Sequence, residues 1–121
     1  FSMIILILLL IILDQITKFI FPSIINTGIA FGLLKGYNLL FILVNLIILA
    51  IVIYYHIKNK KVRLALSFLI AGIIGNLIDR IFFNGVRDFI DLKFWPVFNL
   101  ADSFNVIGVI LIFYLVLKNK V

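Results

Sequence analysis

The chain has 121 residues, 65% of them hydrophobic, with a mean hydropathy of +1.32 and a formal net charge of +6. Soluble domains are about 45–50% apolar, so there is too little polar residue to clothe a water-soluble globule, and the chain is too short for several domains. Cysteine is absent, which excludes disulfides, thiolate metal sites and a cysteine nucleophile. One histidine, His56, cannot build a histidine-rich metal centre, and no metal or other cofactor is expected.

A transmembrane helix takes about 20 mostly apolar residues, and the pattern predicts one integral membrane domain with four spans. The first covers roughly 3–21 and is stopped by Pro22. Its run from Met3 to Leu13 has the apolarity of a signal-peptide core. No basic region precedes it and no small-residue cleavage site follows, so it reads as a retained span. A polar, small-residue stretch, Pro22 to Asn38, comes next. The second span covers roughly 39–55, and the third roughly 64–83 after a basic loop. A mixed segment with Gly85, Lys93, Trp95 and Pro96 leads into the fourth, roughly 99–117.

Four consecutive spans place both termini on one face, together with the loop between spans two and three. That face holds Lys58, Lys60, Lys61, Arg63, Lys118 and Lys120 and no acid. The other half sets Lys18, Lys35, Arg80, Arg87 and Lys93 against all five aspartates. By the positive-inside rule the first face, with both termini, is cytoplasmic and the aspartates lie toward the exoplasmic side. The basic charge thus speaks of topology and anionic lipid, with no nucleic-acid partner expected.

Ionisable residues inside spans cost about 2.5–3.5 kcal/mol each on the insertion scale, so each needs a reason. With no glutamate present, the carboxylates are Asp14, Asp79, Asp88, Asp91 and Asp102. Asp14 and Lys18 share a helix face, as a neutralising pair or as the polar wall of a site. Asn76, Asp79 and Arg80 cluster on span three, and Gly72 and Gly75 permit close helix approach one turn earlier. Asp79 and Arg80 read as a mutual pair holding other residues in place. Asn45 reads as a helix-packing hydrogen bond, and His56 as facing water or headgroups.

Asp88 and Asp102 have no basic partner at helical spacing in their own segments, and the chain between them leaves and re-enters one membrane face. Two readings stand. They are solvated interfacial acids, or they share a low-dielectric site where one keeps a proton, giving the acid and base that activate water against an amide. A Ser–Lys pair fits poorly, because Ser67 lies near the basic face and Ser103 points elsewhere from Asp102. A proton or ion transporter fits poorly too, since the charge-bare halves of the spans leave no relay across. A structural or lipid-sensing subunit is the third class.

Five blocks carry a resemblance: Asp14-Gln15-Ile16-Thr17-Lys18, Asn26-Thr27-Gly28-Ile29-Ala30-Phe31-Gly32, Ala71 to Arg80, Val86-Arg87-Asp88-Phe89-Ile90, and Phe98-Asn99-Leu100-Ala101-Asp102-Ser103. In this order, in register with four spans, they resemble bacterial lipoprotein signal peptidase (signal peptidase II). The resemblance implies four transmembrane helices with a small exoplasmic β-cradle and a short interfacial helix. It implies an intramembrane aspartic endopeptidase of the bacterial cell membrane that cleaves a diacylglyceryl-modified prolipoprotein just before the lipidated cysteine. It makes Asp88 and Asp102 the catalytic pair. Asn26, Gly28, Asn76, Arg80 and Asn99 line or support the site, and Asp14, Lys18 and Asp79 form a supporting network. Other expected partners are membrane lipids and globomycin-type inhibitors, and the protein is expected to act as a monomer. Arg87 departs from the family pattern, where an apolar residue usually precedes the aspartate. Strand alternation would turn it away from Asp88 toward headgroups or water.

Overall fold

The computed structural model describes residues 3–28 and 33–119. Among the described residues, four helices are long and apolar enough to cross a membrane: α1 (Met3–Ile20), α2 (Asn38–Lys58), α3 (Arg63–Phe83) and α4 (Leu100–Leu117). Unbroken Ile/Leu runs in a medium without water leave the helix as the structure that satisfies every backbone N–H and C=O internally. Alternating directions gather the end of α1, the start of α2, the end of α3 and the start of α4 at one end of the bundle.

The helix ends differ from the expected spans in ways that local chemistry explains. α2 runs to Lys58 rather than Tyr55 because Arg63 donates from Nε to His56 O (2.9 Å) and from Nη2 to Ile57 O (2.9 Å), covering carbonyls the helix leaves open. α3 stops at Asn84, whose φ of 58° is left-handed. α4 opens at Leu100 because Asn99 is its N-cap, in a reciprocal capping box with Asp102.

α3 is the hub. Eleven of its 21 residues are buried, against two in α1, one in α2 and three in α4. The outer helices turn Ile, Leu, Val and Phe outward, among them Leu8, Leu43, Ile47 and Phe113, as a lipid-facing surface requires. Close packing on α3 depends on small residues. A Cβ at Gly72 would lie 2.6 Å from Ala101 O, and one at Gly108 would lie 2.8 Å from Ala65 O. A Cβ at Gly75 would sit 3.1 Å from Asp14 Cγ and 3.2 Å from Ala101 Cβ. Gly75→Ala should therefore lower the melting temperature by several degrees, read by thermal denaturation in detergent, since α1 and α4 would both have to move off α3.

At the aspartate-bearing end, β1 (Ile24–Asn26) pairs antiparallel with β2 (Val86–Asp88), with Ile24 opposite Asp88 and Asn26 opposite Val86. An isolated bridge, Ile90 to Phe98, folds the following segment back, and Phe21 stacks on Phe89 at 5.3 Å. Between β1 and α2, the described residues 33–36 form turns.

Candidate functional site

The site grows from a buried ionic core between α1 and α3. The Asp14 and Lys18 side chains share one face of α1, four residues apart, and both are excluded from solvent. Lys18 Nζ lies 2.7 Å from Asp14 Oδ2 and 3.2 Å from Asp79 Oδ2, and donates to Asn76 Oδ1 (3.2 Å) and Gly75 O (3.3 Å). The other oxygen of Asp14 accepts from the backbone of Ala101 at 2.9 Å, satisfying an N–H that the start of α4 leaves without an intrahelical partner. The pair is thus more than local neutralisation, for it docks α4 onto α1 and α3.

Asp79 and Arg80 do not pair with each other. Neighbours on a helix point about 100° apart, and the two serve different sides of α3. Asp79 faces α1 and β2. Arg80 faces α2 and the bend after β1, donating to Asn38 Oδ1 (3.1 Å) and to Gly28 O (2.7 Å), with its guanidinium over the Phe41 ring.

Asp79's second cation is Arg87. Strand alternation turns Arg87 away from Asp88, as expected, but onto the bundle rather than toward headgroups or water. Its Nε and Nη2 grip both Asp79 oxygens (3.2 and 2.9 Å), and Nη2 also donates to Gln15 Oε1 (2.7 Å). Its backbone N–H donates to Asp79 Oδ2 (2.9 Å), and its guanidinium lies 4.1 Å from the Phe83 ring centre. A planar fork matches a carboxylate in two places at once, and a buried carboxylate beside the strand offers more than water does.

On the other face of β2, Asp88 lines a cavity of about 310 Å³ together with Asp102. An asparagine lattice spans the two carboxylates. Asn99 Nδ2 donates to Asp88 Oδ1 (2.9 Å) and to Asn76 Oδ1 (3.1 Å), and Asn76 Nδ2 donates to Asp102 Oδ1 (3.0 Å). Asp102 Oδ2 accepts from the Asn99 backbone N–H (3.1 Å), the second half of the capping box. The Asn26 side chain hydrogen-bonds Asp88, and its own Oδ1 accepts from Gly28 N (3.0 Å). Burial, then the nearby Asp102 carboxylate, push the Asp88 carboxyl up to about 7, against the weaker pull of Asn26, Lys18 and Asn99. A carboxyl that titrates near neutrality beside a second carboxyl can both take and give a proton.

All ten candidate residues named from the sequence fall in this one connected region: Asn26, Gly28, Asn76, Arg80, Asp88 and Asp102 on the cavity wall, and Asn99, Asp14, Lys18 and Asp79 behind it. Asp91 stands apart, exposed, with its carboxyl lowered by hydrogen bonds from Lys93. Ile29, Ala30, Phe31 and Gly32, the rest of the second block, lie outside the described residues. Asn45 donates to Phe41 O of its own helix (2.8 Å) rather than across the bundle. His56 meets Ser67 Oγ (2.9 Å) rather than facing only water or headgroups. Sequence reasoning gave no role to Gln15 or Asn38, both of which tie the core together; their signal was a polar side chain inside, or at the start of, an apolar span.

Comparison with known proteins agrees with this geometry. The family described as signal peptidase (SPase) II, Peptidase_A8, matches residues 6–118. A lipoprotein signal peptidase of Halothermothrix orenii is 45% identical over 100 residues, covering 79% of this chain and 69% of that protein. One from Staphylococcus aureus is 37% identical, covering 90% and 83%. A solved bacterial membrane enzyme superposes with a TM-score of 0.89 at 36% identity, covering 98% of this chain and 88% of that one. The match runs through every element that builds the cavity, and the chain belongs to the signal peptidase II family of aspartic peptidases.

Proposed function

We propose that Asp88 and Asp102 are the acid–base pair with which this lipoprotein signal peptidase removes signal peptides from prolipoproteins, cutting just before a cysteine that already carries diacylglycerol. The observation that carries the assignment is the shared cavity, in which one buried carboxyl holds its proton to about 7 beside a second that accepts hydrogen bonds on both oxygens. Asp102, with Asn76 on one oxygen and the Asn99 N–H on the other, is the carboxylate; Asp88 is the acid. A water between them attacks the scissile carbonyl carbon. Asp102 takes the water's proton while Asp88 gives its own to the carbonyl oxygen, leaving a neutral gem-diol. As the C–N bond breaks, Asp102 returns its proton to the departing amine and Asp88 recovers one from a diol hydroxyl.

The other residues position this pair. Asn76 and Asn99 fix the two carboxyl planes, and Arg80 with Asn26 holds Gly28 at the rim. The ionic core of Asp14, Lys18 and Asp79 fixes the start of α4. In the bacterial cytoplasmic membrane both termini face the cytoplasm and the cavity opens toward the exoplasmic side, where the exposed aromatics Phe94 and Trp95 suit the lipid–water boundary. The protein acts as a monomer, and globomycin-type peptides occupy the same cavity. Purified protein should cleave a prolipoprotein bearing diacylglycerol, be blocked by globomycin, and leave the unlipidated form intact. Equal cleavage of both forms would overturn the substrate assignment.

The raised Asp88 carboxyl sets the pH dependence. Its proton is needed in the attack step, so kcat/KM should fall as pH rises above about 7. The stability sign is separate. A carboxyl whose folded-state value lies above its unfolded value binds protons better when folded, so stability is lost as pH rises between the two values. Asp88→Asn should therefore gain melting temperature over the unaltered protein at about pH 9 and little at about pH 4. Melting curves at both ends of the range decide this.

A further inference from the structure

We propose that Asn105 is a substrate-binding residue that takes up the peptide backbone of the signal sequence beside the scissile bond; the inference rests on the activity proposed above. Asn105 lies one turn along α4 from Asp102, about 4.5 Å further into the bundle, and lines the same cavity as both aspartates. Its carboxamide packs against α3 where Gly72 leaves room, since a Cβ at Gly72 would sit 2.7 Å from Asn105 Cγ. There its Oδ1 is buried without a hydrogen-bond partner, alone among the described side chains in this.

The contrast with its neighbours gives the observation its weight. Asn26, Asn76 and Arg80 also line the cavity, and each is engaged by the protein itself. Asn105 is the residue of the wall whose side-chain oxygen the folded chain leaves without a partner; that oxygen rests against Gly72, and a turn about χ2 would present the carboxamide to the cavity. From Phe104 to Leu117 α4 is otherwise apolar, so an amide there costs stability that a leucine would not. Violations of this kind concentrate where function requires them.

The chemistry of the substrate supplies the missing partner. A signal peptide arrives from the bilayer as a helix, but the bond to be cut must be presented in extended form. Unwinding strips its backbone C=O and N–H groups of their internal partners within an apolar surround. A carboxamide offers a donor and an acceptor side by side, as a peptide unit does, and is sequence-tolerant because backbone is common to every signal peptide.

Substitution separates this role from a structural one. For Asn105→Leu and Asn105→Ala, KM for a diacylglyceryl-prolipoprotein should rise about three- to tenfold, the worth of one or two hydrogen bonds, with the change falling on KM rather than kcat. The melting temperature of Asn105→Leu should hold or rise, because an orphaned polar group has been removed. An unchanged KM in both variants would overturn the inference, and so would a lowered melting temperature in both alongside raised KM, which would mark Asn105 as scaffold. Failure of the unaltered protein to cleave would overturn the activity on which the inference rests, whereas an active enzyme indifferent to Asn105 overturns the inference alone.

Discussion

Asp102→Asn should lose cleavage by about three orders of magnitude or more while remaining folded, and Asp88→Asn should lose as much. Removing a proton-transfer group costs about 10²–10⁴-fold in rate, and here each aspartate serves in both the attack and the collapse step. The two variants should differ in stability. Asp102 accepts from Asn76 on one oxygen and from the Asn99 N–H on the other. An asparagine there keeps one acceptor and turns its amide donor toward another donor, so half the capping box or the Asn76 bond is lost. That costs about 1 kcal/mol. Asp88→Asn instead removes a carboxyl that burial disfavours as an anion, and it keeps an acceptor for Asn99. Turnover measured with melting temperature should thus show equal loss of activity in both variants, with a gain in stability at alkaline pH for Asp88→Asn. Loss of fold in both would leave the carboxyls as scaffold and contradict the assignment.

The largest stability effect should come from Lys18→Met. Its ammonium lies in a pocket without solvent between Asp14 and Asp79, with Gly75 O and Asn76 Oδ1 completing its shell. Deleting one partner of a buried ion pair leaves an uncompensated charge and costs about 3–5 kcal/mol. Asp79 keeps Arg87, but Asp14 is left with the Ala101 N–H and a weak bond from Gln15. The variant should melt far below the unaltered protein. Asp14→Asn in the same chain should recover part of the loss, because the charge left bare is then gone. A double variant no more stable than Lys18→Met would contradict this account of the core. Activity should follow stability, since Asp14 holds the turn of α4 on which Asp102 stands.

Much of this arrangement is legible in the residues themselves. Apolar runs of bilayer length and a one-sided distribution of acids locate four helices and the active end, because the bilayer admits few alternatives for a backbone. The pairing of charges is less legible. Spacing puts Asp14 with Lys18 correctly because i and i+4 meet on one helix. The same reasoning fails for Asp79 and Arg80, adjacent residues whose side chains diverge to different neighbours. Arg87 shows the limit most clearly. Alternation along β2 gives its direction away from Asp88, but what waits in that direction is Asp79 of α3 and Gln15 of α1, brought there by helix packing that no local pattern encodes. Asn105 is likewise invisible as a motif. A single asparagine in an apolar span reads as packing until its oxygen is found buried and unpaired against Gly72. The catalytic roles proposed for Asp88 and Asp102 come from family motifs, whereas their shared cavity and bridging asparagines come from the fold.

The assignment makes the buried Asp88 and the half-buried Asp102 hold one proton between them near neutrality, with Asp88 its carrier. Infrared difference spectroscopy of the protein in bilayers reads this directly through the carbonyl stretch of a protonated carboxylic acid. A protonated-carboxyl band that persists to near neutral pH, titrates away around 7, and is absent from Asp88→Asn is the predicted result. A band lost by about pH 5, in the ordinary carboxylate range, or one unaffected by Asp88→Asn, would contradict it.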